Sequence, residues 1–152
     1  MDTIQIDDIK IRPLTTDTWP DFEQLFGPRG ACGGCWCMWW RLSSKEFEIA
    51  QGEGNRQAMK TLVDSGVIPG LIGYMNDKSC RHQGVGSSLI RGAIQYVKSC
   101  GGEIIEAYPT LVRSDHAPPV STFMGFPKVF RRLGFQEIKS ASSSKVFMRY
   151  YL

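Results

Sequence analysis

The sequence predicts a mixed α/β domain, and three observations carry that expectation. Short strand-like runs alternate with helix-like runs along the chain. Val85, Leu89, Ile90, Ala93, Ile94 and Val97 recur at spacings of three and four, which is one apolar face of a helix. That helix lies between two apolar runs, residues 70–75 and 103–109, so a strand–helix–strand unit with parallel strands and a right-handed crossover is expected. At 152 residues the chain is long enough for one domain with a real core and too short for two comfortable ones.

The elements follow in order. Residues 9–14 read as a first strand, with Ile9 and Ile11 alternating against Lys10 and Arg12. Thr18 reads as the N-cap of a helix over Trp19–Phe26, with Pro20 in its first turn and Gly27-Pro28 as its stop. A loop rich in glycine and cysteine follows at residues 30–37, then the aromatic cluster Trp36, Trp39 and Trp40. Residues 43–50 and 55–64 read as helices separated by the breaker Gly52-Glu53-Gly54. Residues 70–75 are strand-like, and Asn76-Asp77 is a turn signal. The amphipathic helix spans residues 87–100 and stops at Cys100-Gly101-Gly102. Residues 127–133 form a short helix ending at Gly134. Two closing strands, residues 135–139 and 145–151, form a hairpin around Ser142 to Ser144, and the last of them offers an edge to a second copy of the chain.

Composition narrows the function classes. The net charge of +3 is mild and the basic residues are scattered, so nucleic acid is not an expected partner. No apolar run approaches the ~18 residues of a membrane span. The start MDTIQIDDIK is acidic and lacks the apolar centre of a signal peptide. Five cysteines, an odd number, then suggest reduced thiols and a cytoplasmic location.

The most telling stretch is Arg81-His82-Gln83-Gly84-Val85-Gly86, running at once into the amphipathic helix at Ser87. Two glycines around one residue let the backbone approach a ligand closely. The helix N-terminus aims free N–H groups and a partial positive charge at the same point, and the natural guest is a phosphate or pyrophosphate. Arg81 adds a full charge at the entrance. Leu133-Gly134-Phe135 closes a short helix about fifty residues on.

This arrangement resembles the GNAT superfamily of acyl-CoA-dependent N-acetyltransferases. Its signature, (Gln/Arg)-x-x-Gly-x-(Gly/Ala), is matched by Arg81, Gly84 and Gly86. The resemblance runs from about Lys10 to the C-terminus and is strongest from Arg81 to Phe135. It implies a mixed central sheet with helices on both faces and acetyl-CoA as acyl donor. By the same resemblance, His82, Gln83, Val85, Gly86 and Ser87 supply amides to the cofactor's pyrophosphate. The run Gly-Gly-Cys-Trp-Cys-Met is similar to one in a subgroup of GNAT-like proteins without a settled substrate.

The chain departs from the family upstream of the motif. Members have two antiparallel strands and a third leading into the phosphate loop, and that third strand binds the pantetheine arm and often carries the catalytic carboxylate. Only Asn76 to Cys80 separate strand 70–75 from Arg81, too few for a turn, a returning strand and a further strand. Either the sheet lacks one or two central strands, with residues 70–75 taking the place of the missing one, or a segment is missing from the sequence. Phe130 stands where the family commonly has a tyrosine that protonates the leaving thiolate.

Acetyl transfer needs a neutral amine near the thioester and a route for its proton. Alternation on strand 103–108 places Ile104, Glu106 and Tyr108 on one face. Glu106 is the candidate proton acceptor and Tyr108 the candidate donor; the competing reading pairs Glu106 with a nearby arginine and packs Tyr108 in the sheet. His116, in a proline-rich loop, is a lesser candidate.

By the GNAT arrangement, the segment carrying Trp36, Trp39 and Arg41 borders the acceptor site, with Arg41 positioned for a carboxylate or phosphate. Cys32, Cys35 and Cys37 have a metal or redox spacing, but no second ligand pair accompanies them. Equally, the cysteines act as small hydrophobes and the tryptophans as core. Two functions follow: an N-acetyltransferase acting on a small-molecule amine, or a degenerate GNAT domain that binds CoA or a metabolite without turnover.

Overall fold

The computed structural model describes residues 3–76, 78–79, 85–111, 124–138 and 146–152. They fall into two compact units, Met1–Val85 and Gly86–Leu152.

In the first unit, strand β1 (Ile4–Ile6) turns at Asp7, φ 50°, into β2 (Ile9–Pro13), with Ile6 opposite Ile9. Ile4 and Ile6 flank Gln5 ahead of two aspartates, a hairpin signal that the acidity of this segment obscures. Helix α1 (Trp19–Phe26) has the expected bounds, and Gly27, φ 67°, ends it. Thr18 stands at its N-cap but does not cap it. Its buried hydroxyl donates to the Pro13 carbonyl at 2.9 Å and accepts from the Thr15 amide at 2.9 Å, tying the end of β2 to the start of α1.

Helix α2 (Ser44–Ile49) opens with a capping box between Ser43 and Glu46, an arrangement worth about 1 kcal/mol. Helix α3 (Glu53–Asp64) begins directly after Gly52, φ 84°, so Glu53 and Gly54 are helical and only Gly52 breaks the chain. Trp19 and Phe22 of α1, Met59 and Val63 of α3, and Ile72 and Tyr74 of strand β3 (Leu71–Met75) meet in one core with Trp36, Met38 and Phe47.

Tyr74 donates its phenol proton to Asp21 Oδ2 at 2.7 Å. Burial first, then that bond, hold its pKa well above the usual value of 10.0. A pKa raised on folding stabilises the protein fully below the unfolded value, and that contribution is lost as pH rises through the folded one. Unfolding free energy is therefore expected to fall as pH climbs beyond about 10. The fall should be shallower in Tyr74→Phe, as measured by urea titrations at stepped pH.

After Asn76, φ 50°, the chain reverses into β4 (Lys78–Ser79), which pairs antiparallel with β3. The sheet order is β1-β2-β3-β4. Asn76 and residues 78–79 thus form a turn and a two-residue returning strand, and no described residue forms a further strand before the next helix.

The second unit begins with helix α4 (Gly86–Ser99), closed by Gly101, φ 76°, and by the Gly102 amide donating to the Val97 carbonyl at 2.9 Å. Strand β5 (Ile104–Ala107), helix α5 (Pro127–Arg132), β6 (Gln136–Ile138) and β7 (Phe147–Tyr151) complete it. Ile90 and Ile94 of α4 pack with Ile105, Ala107, Phe135 and Met148. The hairpin of β6 and β7 forms in the expected place, with Glu137 opposite Met148; Ser142 to Ser144 lie outside the described residues.

Two expectations are corrected. Residues 70–75 and 103–108 do not pair in parallel: β3 and β5 belong to different sheets, and every described pairing is antiparallel. The early reversal at Asn76 is the cause, because β2 and β4 then occupy both edges of β3. For the same reason β3 does not take the place of a missing central strand. Nor is the last strand an edge. The order β5-β7-β6 puts β7 in the middle of its sheet, so it offers no free ladder for a second copy.

Candidate functional site

The Arg-x-x-Gly-x-Gly motif ends on described residues. Val85 is buried, and α4 starts at Gly86 and Ser87 with no acidic residue in its first turn. The leading amides of a 14-residue helix therefore carry their partial positive charge with no carboxylate in the helix's own first turn. A Cβ built on Gly86 meets nothing within 4 Å, so the position is open. Arg81, His82, Gln83 and Gly84 lie outside the described residues.

On β5 the expected face is present. Ile104, Glu106 and Tyr108 are exposed, while Ala107 is buried and Ile105 packs into the core. Glu106 sits opposite Arg149 in the ladder. Arg149 donates to Glu106 Oε1 from Nε at 3.0 Å and approaches it with Nη2 at 2.9 Å. Tyr108 donates to Glu106 Oε2 at 2.9 Å. Its ring stacks on Phe147, with centroids 5.1 Å apart, and the Arg149 guanidinium lies 5.0 Å from the Phe147 ring. The hydrogen bond to Glu106 pushes the Tyr108 pKa up, and the same carboxylate raises that of Arg149. Tyr108 thus keeps its proton at neutral pH, and both oxygens of Glu106 are engaged. The arginine partner that sequence reading left unnamed is Arg149, 43 residues away; no local spacing could reveal it.

The aromatic segment is not a single surface. Trp36 is only 5% exposed and stacks on Phe26 at 5.6 Å, in keeping with the reading of the tryptophans as core. Trp39 is 50% exposed, edge-on to Phe47, and the exposed Arg41 donates to the Pro69 carbonyl at 3.0 Å. Trp36 reaches an open cleft of about 1050 Å³ that is also lined by Glu23, Arg29, Gly34 and Arg56. Arg56 bonds both Glu23 and Glu53, and those bonds raise its pKa. Sequence spacing did not point to this cleft, because its walls come from α1, the glycine loop and the start of α3.

Phe130 lies in the core of the second unit, T-shaped against Phe135 at 5.1 Å. Cys32, Cys35, Cys37 and Cys100 are thiols, not disulfides. Among the described residues no three metal-ligating side chains cluster, and no helix is long and apolar enough to cross a membrane. Cys80 and His116 lie outside the described residues.

No family model matches the chain, and no curated protein matches it. Solved structures do. PaiA N-acetyltransferase from Thermoplasma acidophilum, in complex with coenzyme A, superposes with a TM-score of 0.51 at 14% identity, over 95% of this chain and 99% of that one. Ribosomal-protein-S5-alanine acetyltransferase from Vibrio fischeri gives 0.49 at 13% identity, over 99% and 97%. The GNAT domain of S. lividans PAT gives 0.45 at 16% identity, over 99% and 96%. At such identity the first likeness shows the fold alone, a mixed α/β GNAT-like architecture.

Proposed function

We propose that this chain is an acyl-CoA-dependent N-acetyltransferase moving an acetyl group from acetyl-CoA to a small-molecule amine by direct attack. The observation that carries this reading is the start of α4. There the Arg-x-x-Gly-x-Gly motif runs into a long helix with no acidic residue in its first turn, on a GNAT-like fold. The amides of His82, Gln83, Val85, Gly86 and Ser87 hold the pyrophosphate, and Arg81 and Gly84 complete the loop.

In the chemical step the amine nitrogen attacks the thioester carbonyl, a C–N bond forms and the C–S bond breaks. Glu106 takes the amine proton and Tyr108 gives its own to the departing sulfur. The 2.9 Å bond between them returns the proton from Glu106 to Tyr108. Arg149 orients the carboxylate. Trp39 and Arg41 border the acceptor, and Trp36 supports that segment from within the core. Tyr108→Phe is expected to lower kcat about a hundredfold, the low end for general acids, because water replaces an exposed phenol. The melting shift on adding acetyl-CoA should stay unchanged.

A second reading, CoA binding without turnover, is favoured by Phe130 and by the full engagement of both Glu106 oxygens. Melting curves with acetyl-CoA, CoA and dephospho-CoA, followed by thiol release across a panel of amines, separate the two. A shift with thiol release supports the enzyme, a shift without release supports the second reading, and no shift with any CoA species removes both.

A further inference from the structure

Cys32 and Cys35 are the two ends of one reverse turn. The Cys35 amide donates to the Cys32 carbonyl at 3.3 Å, and only Gly33, φ 59°, and Gly34, φ 66°, lie between them. A hydrogen-bonded turn of this kind holds its end Cα atoms within about 7 Å, and a disulfide spans about 4.4–6.8 Å. Both intervening residues are glycines, so neither adds a side chain to the turn. Cys32 is exposed, while Cys35 is half-buried and its thiol donates to the Gly30 carbonyl at 3.7 Å. One cysteine of the pair is thus exposed and the other half-buried.

We propose that Cys32 and Cys35 form a dithiol–disulfide exchange site for low-molecular-weight disulfides. The Cys32 thiolate attacks a small disulfide, RSSR; a Cys32–SR bond forms and one RS⁻ leaves. The Cys35 thiolate then attacks Cys32 Sγ, closing the protein disulfide and expelling the second RS⁻. The two thiol protons of the protein end on two RSH molecules, so the protein is oxidised by two electrons and the small disulfide is reduced. The bridge closes across the glycines that hold the helical corner behind them: the Gly33 carbonyl accepts from Gln51 Nε2 at 2.5 Å, and that of Gly34 from the Gly52 amide at 3.1 Å and Asn55 Nδ2 at 3.1 Å. Gly33 and Gly34 also line the cleft beside Trp36, so oxidation cross-links one of its walls. This site is independent of the acyl-CoA reading.

Excess glutathione disulfide is added to the native, fully reduced chain, remaining thiols are alkylated, and peptides are mapped by mass. A Cys32–Cys35 bridge is expected in the wild type, and it should persist in Cys37→Ser. In Cys35→Ser the reaction should stop at a glutathione adduct on Cys32, at least roughly tenfold more abundant than in the wild type. Wild-type protein that carries glutathione adducts but no bridge overturns the proposal, as does a bridge mapped to Cys37, Cys80 or Cys100. The wild-type map decides even if a variant fails to fold.

Discussion

Gly34→Ala is expected to lower the unfolding free energy by roughly 2–4 kcal/mol, from left-handed strain plus overpacking. Gly34 has φ 66°, which an alanine adopts only at a cost. An added Cβ would also lie 2.6 Å from the Gly52 nitrogen and 2.8 Å from its Cα. These are backbone atoms at the N-cap of α3, so no side chain can swing aside, and relief requires moving the loop away from the helix. Such a move breaks the bonds from the Gly52 amide and Asn55 Nδ2 to the Gly34 carbonyl. Asn55 is fully buried, and losing that partner leaves its amide unsatisfied. Gly52→Ala is the matched control. Its φ of 84° with ψ of −117° carries the conformational cost, about 1–3 kcal/mol, but its Cβ meets nothing within 4 Å. All four tryptophans, Trp19, Trp36, Trp39 and Trp40, belong to the first unit, so urea unfolding followed by indole fluorescence reads this site directly. Equal losses in the two variants would show that the loop yields to the extra methyl group.

Local signals made most elements legible and long-range pairing did not. Helix α1 was placed to the residue because Pro20 and Gly27-Pro28 act on the backbone of their own segment. Helix α4 and the hairpin of β6 and β7 were found in the same way, from periodicity and a glycine stop. Sheet membership was not legible. Parallel pairing of residues 70–75 with 103–108 is what a strand–helix–strand pattern implies, yet a reversal at one left-handed asparagine gave β3 a different neighbour. The site shows the same division. Alternation along β5 correctly put Glu106 and Tyr108 on one exposed face, since side-chain direction follows from the pleat. That Arg149 holds Glu106 depends on strand register across 43 residues. Whether Trp36 packs as core or faces a ligand is open in the sequence, because a tryptophan in a glycine-rich loop gives no local sign of which way its ring turns. Here Phe26 and Gly30 receive it, and a Cβ on Gly30 would collide with the indole.

Gly86→Glu is expected to abolish acetyl-CoA binding, weakening it by more than about a hundredfold, while leaving the protein as stable as before. The two effects pull apart for a physical reason. A carboxylate in the first turn of a helix is favourable by ~0.3–1 kcal/mol, because it meets the positive end of the dipole. The space around Gly86 is open, so the new side chain meets no protein atom at its Cβ. Glycine in a helix is itself unfavourable by about 1 kcal/mol relative to alanine, and Gly86 is not held at a positive φ. On stability alone, then, glutamate is the better residue for this position. For a pyrophosphate it is the worst, since it occupies the approach and sets a negative charge against the ligand's own. Gly86→Ala separates bulk and charge from the loss of glycine itself, and it should keep most of the melting shift with acetyl-CoA, since a methyl group in the open space there adds no charge and little bulk. If Gly86→Glu still binds acetyl-CoA with wild-type affinity by calorimetry, the start of α4 is not the phosphate site, and the function proposed for this chain loses the observation that carries it.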